Sequence, residues 1–459
     1  MELSTQTPEP NARPMTLEDV RSLVDDKQLE FFLCAFVELT GAPKAKLVPA
    51  THLDDMAADG AGFAGFAAGE IGQQPHHPDM FAIPDFRSTT VLPWRPNIAW
   101  VAGNVHVGGQ PSPFCPRGIL TRYLNDVRRD LGYVFKTGVE AEYHLIQHDG
   151  NGAWRVYDPL DALPKPCYDL RALHRNLDLM TTLVRYLQQL GWDPNATDHE
   201  DSNCQFEINF LYADAMITAD RHTFFKWMVK TVAEQHGLFA TFMPKPFAHL
   251  TGNGAHMNMS LWDVATDQNL FEDRSDELGI SRLAYHFCGG LMKHAKGLAA
   301  ITNPLVNSYK RITRGTPDSG ATWAPVYVTY GGSNRTQMIR IPAAGRVENR
   351  IVDGAANPYL AATALLAAGL DGIKHQIDPG PKNTRNLYTV PEDVLKKDGI
   401  EWLPTTLKDA LDDFEADTVL REALGQEFSA NYLRVKRQEW EAYHRTVSQW
   451  ELDNYVSVF

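Results

Sequence analysis

Between Phe31 and Leu39 the chain reads FFLCAFVEL, an almost unbroken apolar run that predicts a buried strand. TGAP follows as a turn, and KAKLVPA would return beside the run as a hairpin partner. RSTTVLPW and NIAWVAGNVHV predict further strands. Beyond Gly118 the apolar period lengthens. ILTRYLNDVRRDLG predicts an amphipathic helix ending at Gly132. Leu173, Leu177, Met180, Val184 and Leu187 recur at helical spacing and predict a second helix closed by Gly191. NPYLAATALLAAGLDGI predicts a buried helix, with Asn357 as N-cap and Pro358 in the first turn. From Leu407 onward the chain is charged and mostly helical. The pattern is α+β. The Gly/Pro-rich GGQPSPFCPRG, residues 108–118, marks a boundary, giving a flexible arm over 1–15 and domains over 16–110 and 111–459.

One glycine pattern invites a specific reading. Gly60, Gly62 and Gly65 in DGAGFAGFAAGEIG spell G-x-G-x-x-G. The stretch follows THLDDMAA rather than a strand, and no amphipathic helix opens behind it, so it predicts a loop rather than a dinucleotide site.

The strand-like GVEAEYHL carries more chemistry. Alternate residues share a face, so Glu140, Glu142 and His144 point one way. Two carboxylates side by side repel unless they line a solvated sheet edge or hold a cation. DHEDSNCQFEINF adds Glu200 and Glu207. LTGNGAHMNMSLW adds His256, with Asn258 and Ser260 on its face, and AAGRVENRIVD adds Glu348. Five glutamates and one histidine on strand-like segments suffice for two divalent cations. Hard oxygen ligands with one imidazole favour magnesium or manganese over zinc. Arginines are the other half: Arg311, Arg335 and Arg340, with Arg346 and Arg350 each two residues from Glu348. Each alone reads as a surface ion pair; together they suit bound anions held by guanidinium forks. Two metals with several arginines are the equipment of phosphoryl transfer.

Composition narrows the classes. The 459 residues carry a formal net charge of −14, which argues against a general nucleic-acid binder. The five cysteines are scattered with no C-x-x-C pair, as in a reduced protein without a zinc site or disulfide framework. No apolar run is long enough to span a membrane, and MELSTQTPEPNARPM lacks the basic and apolar regions of a signal peptide. The expectation is a cytoplasmic protein.

These segments resemble the glutamine synthetase family. GVEAEYH is similar to its G-x-E-x-E-F block and HEDSNCQFEINF to its H-E-V-x-x-G-Q-x-E-I block. TFMPKPFAHLTGNGAHMNMSLW is similar to its K-P-x…G-S-G-x-H-x-H-x-S-L-W block. NPLVNSYKR and NRTQMIRIPAAGRVENRIVDGAANPYLAATALLAAGLDGI resemble the C-terminal blocks. The blocks keep family order across residues 31–373.

The resemblance implies an N-terminal β-grasp domain and a C-terminal catalytic domain of antiparallel strands and helices. It implies rings of subunits, usually a homododecamer, with each active site completed by a neighbour. By motif, Glu142, Glu200 and Glu207 would hold one Mg2+ or Mn2+, and Glu140, His256 and Glu348 a second. Arg311 and Arg350, with Thr251 and the Gly252 backbone, would bind L-glutamate. Arg335 would act on the transferring phosphate. Arg340 and Arg346 would face the ATP phosphates, with Ser260 and Trp262 near the nucleoside. The implied activity is ligation of glutamate to an amine through γ-glutamyl phosphate.

Departures from the pattern bear on the amine. The flap RITRGTPDSGATWAPVY is long and puts Trp323 where ammonia-using relatives carry an acid before Ala324-Pro325. Glu38 in ELTG replaces the family's aspartate, Asn258 its second histidine and Thr251 its glutamate-binding asparagine. This flap resembles the γ-glutamylmethylamide synthetase branch, which implies methylamine as substrate, Trp323 beside its methyl group and Glu38 as base. Trp323 as packing in a remodelled flap is the other reading. Glutamate–ammonia ligation, a bulkier amine and an inactive structural member of the fold remain as alternatives.

Overall fold

The computed structural model describes residues 15–313 and 323–459, so all but the last residue of the proposed arm and most of the flap lie outside the described residues. Among the described residues no helix is long and apolar enough to cross a membrane. The chain forms two compact units, one of residues up to 36, 43–68 and 73–112, the other of 37–42, 69–72 and 113–459.

The first unit is built on a seven-stranded sheet: β1 Phe31–Val37, β2 Pro43–Pro49, β3 Ala61–Phe63, β4 Met80–Pro84, β5 Thr90–Leu92, β6 Arg95–Val107 and β7 Gln110–Pro111. Its order is β2-β1-β6-β4-β3, and β5 and β7 also pair with β6. β1 runs parallel to β6 through the unbroken apolar run, with Phe32, Cys34 and Ala35 buried against Ala99 and Val101. The segment at Gly60–Gly65, expected as a loop, departs from that reading. Ala61–Phe63 pairs antiparallel with β4 as an edge strand, because Ala61 has buried space to fill and Gly62 fits beside the Phe81 ring.

The second unit holds a ten-stranded, barrel-like sheet: β8 Tyr133–His148, β9 Trp154–Val156, β10 Pro194–His199, β11 Gln205–Phe210, β12 Ala213–Asp214, β13 Phe239–Thr241, β14 Ala255–Asp263, β15 Tyr330–Gly331, β16 Ile339–Ala343 and β17 Arg346–Asn349. The order is β10-β11-β8-β14-β17-β16-β15, antiparallel except for the parallel β15–β16 pair. One face is covered by helices. The helix Pro358–Lys374 is buried along nearly its whole length, and the Asn357 side chain caps it by accepting from Tyr359 N and Leu360 N. It meets the helix Arg282–Lys293 at Gly372 and Gly290, where an added Cβ would fall 2.5 Å from a backbone nitrogen and 2.0 Å from a carbonyl oxygen. The amphipathic helix Pro116–Leu131 ends at Gly132 as the pattern predicts.

The helix expected through Leu173 and Leu177 is broken in two, Leu170–Arg175 and Leu177–Gln189. Asn176 sits at the break, accepting from the Tyr157 hydroxyl at 2.5 Å and donating to Ala172 O at 2.8 Å. This partner lies 19 residues away, beyond the reach of a local pattern. The buried stripe is accordingly Leu179, Met180, Leu183 and Leu187, while Leu177 is exposed.

Candidate active site

The sheet register assembles the site. Glu142 on β8 lies directly opposite Glu207 on β11, and Glu207 lies opposite Asp198 on β10. Two residues along β8, Glu140 faces His256 on β14. Asn258 pairs with Glu348 on β17, which in turn pairs with Arg340 on β16. Like charges placed opposite each other destabilise a sheet. A row of three acids across adjacent strands is therefore a functional arrangement.

Ligand atoms of Glu140, His256 and Glu348 all lie within 4.8 Å of one another, as do those of Asp198, Glu200 and Glu207. The first group is the set expected for one metal. The second contains Glu200 and Glu207 as expected, with Asp198 where Glu142 was expected. Glu142 lies between the groups, its Oε1 3.9 Å from His256 Nε2. Its Oε2 accepts from Gly254 N at 2.7 Å and from Gln205 Nε2 at 3.0 Å. Gly254 must be glycine for this contact: an added Cβ would lie 2.8 Å from His256 Nε2 and 2.9 Å from Arg311 Nη2.

Burial and like charge together strain these acids. Burial, then the neighbouring Glu142 and Asp198, push the Glu200 carboxyl up to about 8. Burial together with Glu200, Glu140 and Glu142 raises Glu207 well above its ordinary range. Burial raises Glu142 despite Arg311 and the Gly254 N–H. His256 is held well below its usual value by burial and Arg350, which keeps the imidazole neutral and able to ligate. Buried hard oxygens with one imidazole fit magnesium or manganese. Family enzymes use ATP and divalent metals, and this donor set suits them.

Most of the expected residues converge on one cavity of about 430 Å³. Around it stand Glu140, Glu142, Glu200, Glu207 and His256, then Thr251 and Gly252, then Arg311, Arg335, Arg340 and Arg350, with Trp323 at one side. Glu348 is fully buried behind them, paired with Arg350 Nη1 and with Arg340 Nη1 at 2.9 Å. Two of the arginines thus compensate the Glu348 carboxylate as well as facing the cavity. The Nε atoms of Arg340 and Arg350 are buried without a partner among the described residues. Such donors cost about 1–3 kcal/mol each unless an anion or water takes them. Arg335 is exposed to the cavity and makes no ion pair among the described residues. Arg311 is buried, donating to Ile351 O at 2.9 Å and Arg350 O at 3.2 Å. Trp323 is 38% exposed, and its carbonyl accepts from Arg350 Nη2 at 3.3 Å.

Besides Glu348, four expected residues do not line this cavity. Trp262 donates to Ser260 Oγ at 2.9 Å further along β14, where the Lys136 ammonium lies 3.7 Å from its ring centre. Arg346 is exposed at the hairpin end of β17. Glu38 is 3% exposed; its carboxylate accepts from Thr40 N at 3.0 Å, Ala42 N at 3.1 Å and the Thr40 hydroxyl. Conversely, Cys167, Tyr168, Asp198, Asp201, Gln205 and Asn209 line the cavity unannounced by the sequence reading. Asp198 had a signal: it stands two residues before Glu200, the same alternation that marks Glu140 and Glu142.

Comparison with known proteins shows the family. The family described as glutamine synthetase, catalytic domain, matches residues 113–455. The chain is 48% identical to a glutamine synthetase of Rhizobium leguminosarum bv. phaseoli, over 97% of this chain and 100% of the relative. It is 42% identical to a glutamate–methylamine ligase of Methyloversatilis universalis, again over 97% and 100%. A solved structure described as a GmaS/ADP complex superposes with a TM-score of 0.90 at 50% identity, over 96% of this chain and 99% of that one. The chain belongs to the glutamine synthetase family and is an ATP-dependent carbon–nitrogen ligase.

Proposed function

We propose that the enzyme joins the γ-carboxylate of L-glutamate to methylamine, giving γ-glutamylmethylamide, ADP and phosphate. The observation that carries this reading is Trp323, whose ring is partly exposed at the wall of a cavity otherwise lined mainly by charged groups. Ala324, Cys167 and Tyr168 add the remaining apolar surface, and an alkyl substituent belongs against such surface. Similarity to a glutamate–methylamine ligase supports the same choice. A second reading, with ammonia as the amine, is favoured by the 48% identity to a glutamine synthetase.

The reaction has two steps. A γ-carboxylate oxygen forms a bond to the terminal phosphorus of ATP as the bond to ADP breaks. The amine nitrogen then attacks the acyl carbon, phosphate leaves, and the amine gives up a proton. Arg311 and Arg350 would orient the glutamate carboxylates, and Arg335 would meet negative charge growing on the transferring phosphate. Arg340 and Arg346 would face the remaining phosphates, with Ser260 and Trp262 toward the nucleoside. Glu142, Glu200 and Glu207 would hold one metal, with Asp198 adjoining them, and Glu140, His256 and Glu348 the other. Bound Mg2+ or Mn2+ would supply charge neutralisation at the phosphates.

Methylamine is largely protonated near neutral pH, so a base is required. Glu38 lies outside its own chain's cavity, and the base role therefore calls for a second copy in a cytoplasmic homo-oligomer, a dodecamer in this reading. Glu38→Ala would slow turnover at neutral pH and recover at alkaline pH; equal loss at every pH removes Glu38 from that role. The deciding experiment for the amine is phosphate release with glutamate, Mg-ATP and ammonia, methylamine, ethylamine or a diamine. Methylamine should give the highest kcat/KM. A higher value for ammonia promotes the second reading.

A further inference from the structure

His144 shares the β8 face of Glu140 and Glu142, yet no step above uses it. It is fully buried. Its Nδ1 lies 2.8 Å from Asn253 Oδ1 and its Nε2 2.7 Å from Ser202 Oγ. The orientation of Asn253 is fixed by its own donors, because Nδ2 bonds Met243 O at 2.9 Å and Thr241 O at 3.2 Å. Asn253 Oδ1 is therefore an acceptor, so His144 carries its proton on Nδ1 and accepts the Ser202 hydroxyl at Nε2.

The bonds continue toward the site. Gln205 Nε2 lies 3.0 Å from each of Asn253 Oδ1, Gly252 O and Glu142 Oε2. Ser202 follows the ligand Glu200 by two residues, and its carbonyl accepts from Gln205 N at 3.0 Å. A parallel tie joins the same two loops, since the Thr251 hydroxyl donates to Asp201 Oδ2 at 2.8 Å. One loop carries Glu200. The other carries Thr251, Gly252 and the Gly254 N–H that grips Glu142.

We propose that His144 is a positioning residue, a clasp that locks loop 200–205 to loop 251–254 and so fixes Glu142 and Glu200 for metal and Thr251–Gly252 for the substrate carboxylate. This rests on the reading of the cavity as a metal-dependent glutamate site. Groups bonded directly to metal ligands are commonly worth 10–100-fold in affinity, and His144, which acts through Asn253 and Gln205, is assigned the lower end.

The test compares wild type, His144→Leu, His144→Gln and Ser202→Ala in the full chain. Mn2+ binding is followed by electron paramagnetic resonance, alongside KM for glutamate and ATP and the melting midpoint. His144→Leu should raise the Mn2+ Kd about 10-fold and raise the glutamate KM, leaving the ATP KM unchanged. Glutamine can accept from Ser202 and donate to Asn253, so His144→Gln should recover most of both losses. Ser202→Ala should shift the same two quantities in the same direction, and it decides the matter if His144→Leu fails to fold. A lowered melting midpoint with Mn2+ and glutamate binding intact in His144→Leu, or in Ser202→Ala if the leucine variant is lost, overturns the proposal. So does a glutamine variant as impaired as the leucine one. A wild type that binds no Mn2+ overturns the metal reading, and this inference with it; unchanged variants beside a wild type that binds Mn2+ overturn this inference alone.

Discussion

Glu207 and Glu142 stand directly opposite one another across the β11–β8 pairing, both buried. The first prediction follows from that opposition. With metal chelated at a pH alkaline enough to ionise both carboxyls, Glu207→Gln should be more stable than wild type by about 1 kcal/mol, the cost of one opposed like-charge pair. Saturating Mg2+ should reverse the order, since a ligand at 100 times its Kd contributes about 2.7 kcal/mol to the protein that binds it. Thermal melts in EDTA and in Mg2+ check both halves. A variant less stable than wild type in EDTA would show that the pair is not repulsive. The same substitution should abolish ligation.

Arg335 faces the cavity with no ion pair among the described residues, so its charge is available to a reacting anion. Arg335→Ala should lower kcat by about 10²–10³, the usual worth of one preorganised transition-state contact, with little change in glutamate KM. Steady-state kinetics separate the two. A rise in glutamate KM at unchanged kcat would move Arg335 to ground-state binding.

Trp323 sets the expected amine preference. A buried methyl group is worth about 0.8 kcal/mol, or about fourfold in kcat/KM. Trp323→Ala should reduce the methylamine-to-ammonia ratio by about that factor while ammonia turnover changes little. Equal loss for both amines would make Trp323 a packing residue of the flap.

His294 carries a pH dependence of stability. Burial alone would lower its pKa, but hydrogen bonds to Asp417 Oδ2 at 2.6 Å and Asp371 Oδ2 at 3.0 Å prevail and raise it. Lys293 and His375 also face Asp371, at 2.8 and 2.9 Å. A raised folded-state pKa means that the proton stabilises the fold. Its contribution is complete below the unfolded value near 6.5 and is lost as pH rises through the folded one. Burial would raise Asp371, yet Lys293 and His294 bring it down to about 2, so its share survives until pH falls toward that value. His294→Asn should therefore cost about 2 kcal/mol at pH 6, and the two stability curves should converge at alkaline pH. Denaturant midpoints between pH 6 and 9 test this; a constant gap would rule out the protonated bridge.

The sequence displayed those parts of the site that strand alternation encodes. Glu140, Glu142, Glu207, His256 and Glu348 lie in strands whose apolar neighbours make the faces countable. Asp198 escaped because PNATDH offers no apolar alternation to mark a strand. The break at Asn176 was illegible for another reason: its cause is a hydroxyl 19 residues away. Cys204 sits in the left-handed region with φ of 58°, where the similar family block has glycine. Its amide donates to Asp161 Oδ2 at 2.6 Å, an anchor that only the folded chain supplies. The role of Gly254 emerged only from its close approach to Glu142, His256 and Arg311.

The register of β10, β11, β8 and β14 has a consequence for how the protein comes to be made. Side chains alternate with a period of two, so a slip of one residue in β11 would turn Glu207 into the helix-covered layer and Phe206 out toward the cavity. No half-correct version of the site exists: the strands either bring all the acids to one face or scatter them. The binding energy of the divalent ion is therefore available only to chains whose pairing is right. An ion held there would act as an inspector of strand alignment during refolding, and magnesium added early should raise the yield of active enzyme more than magnesium added after collapse.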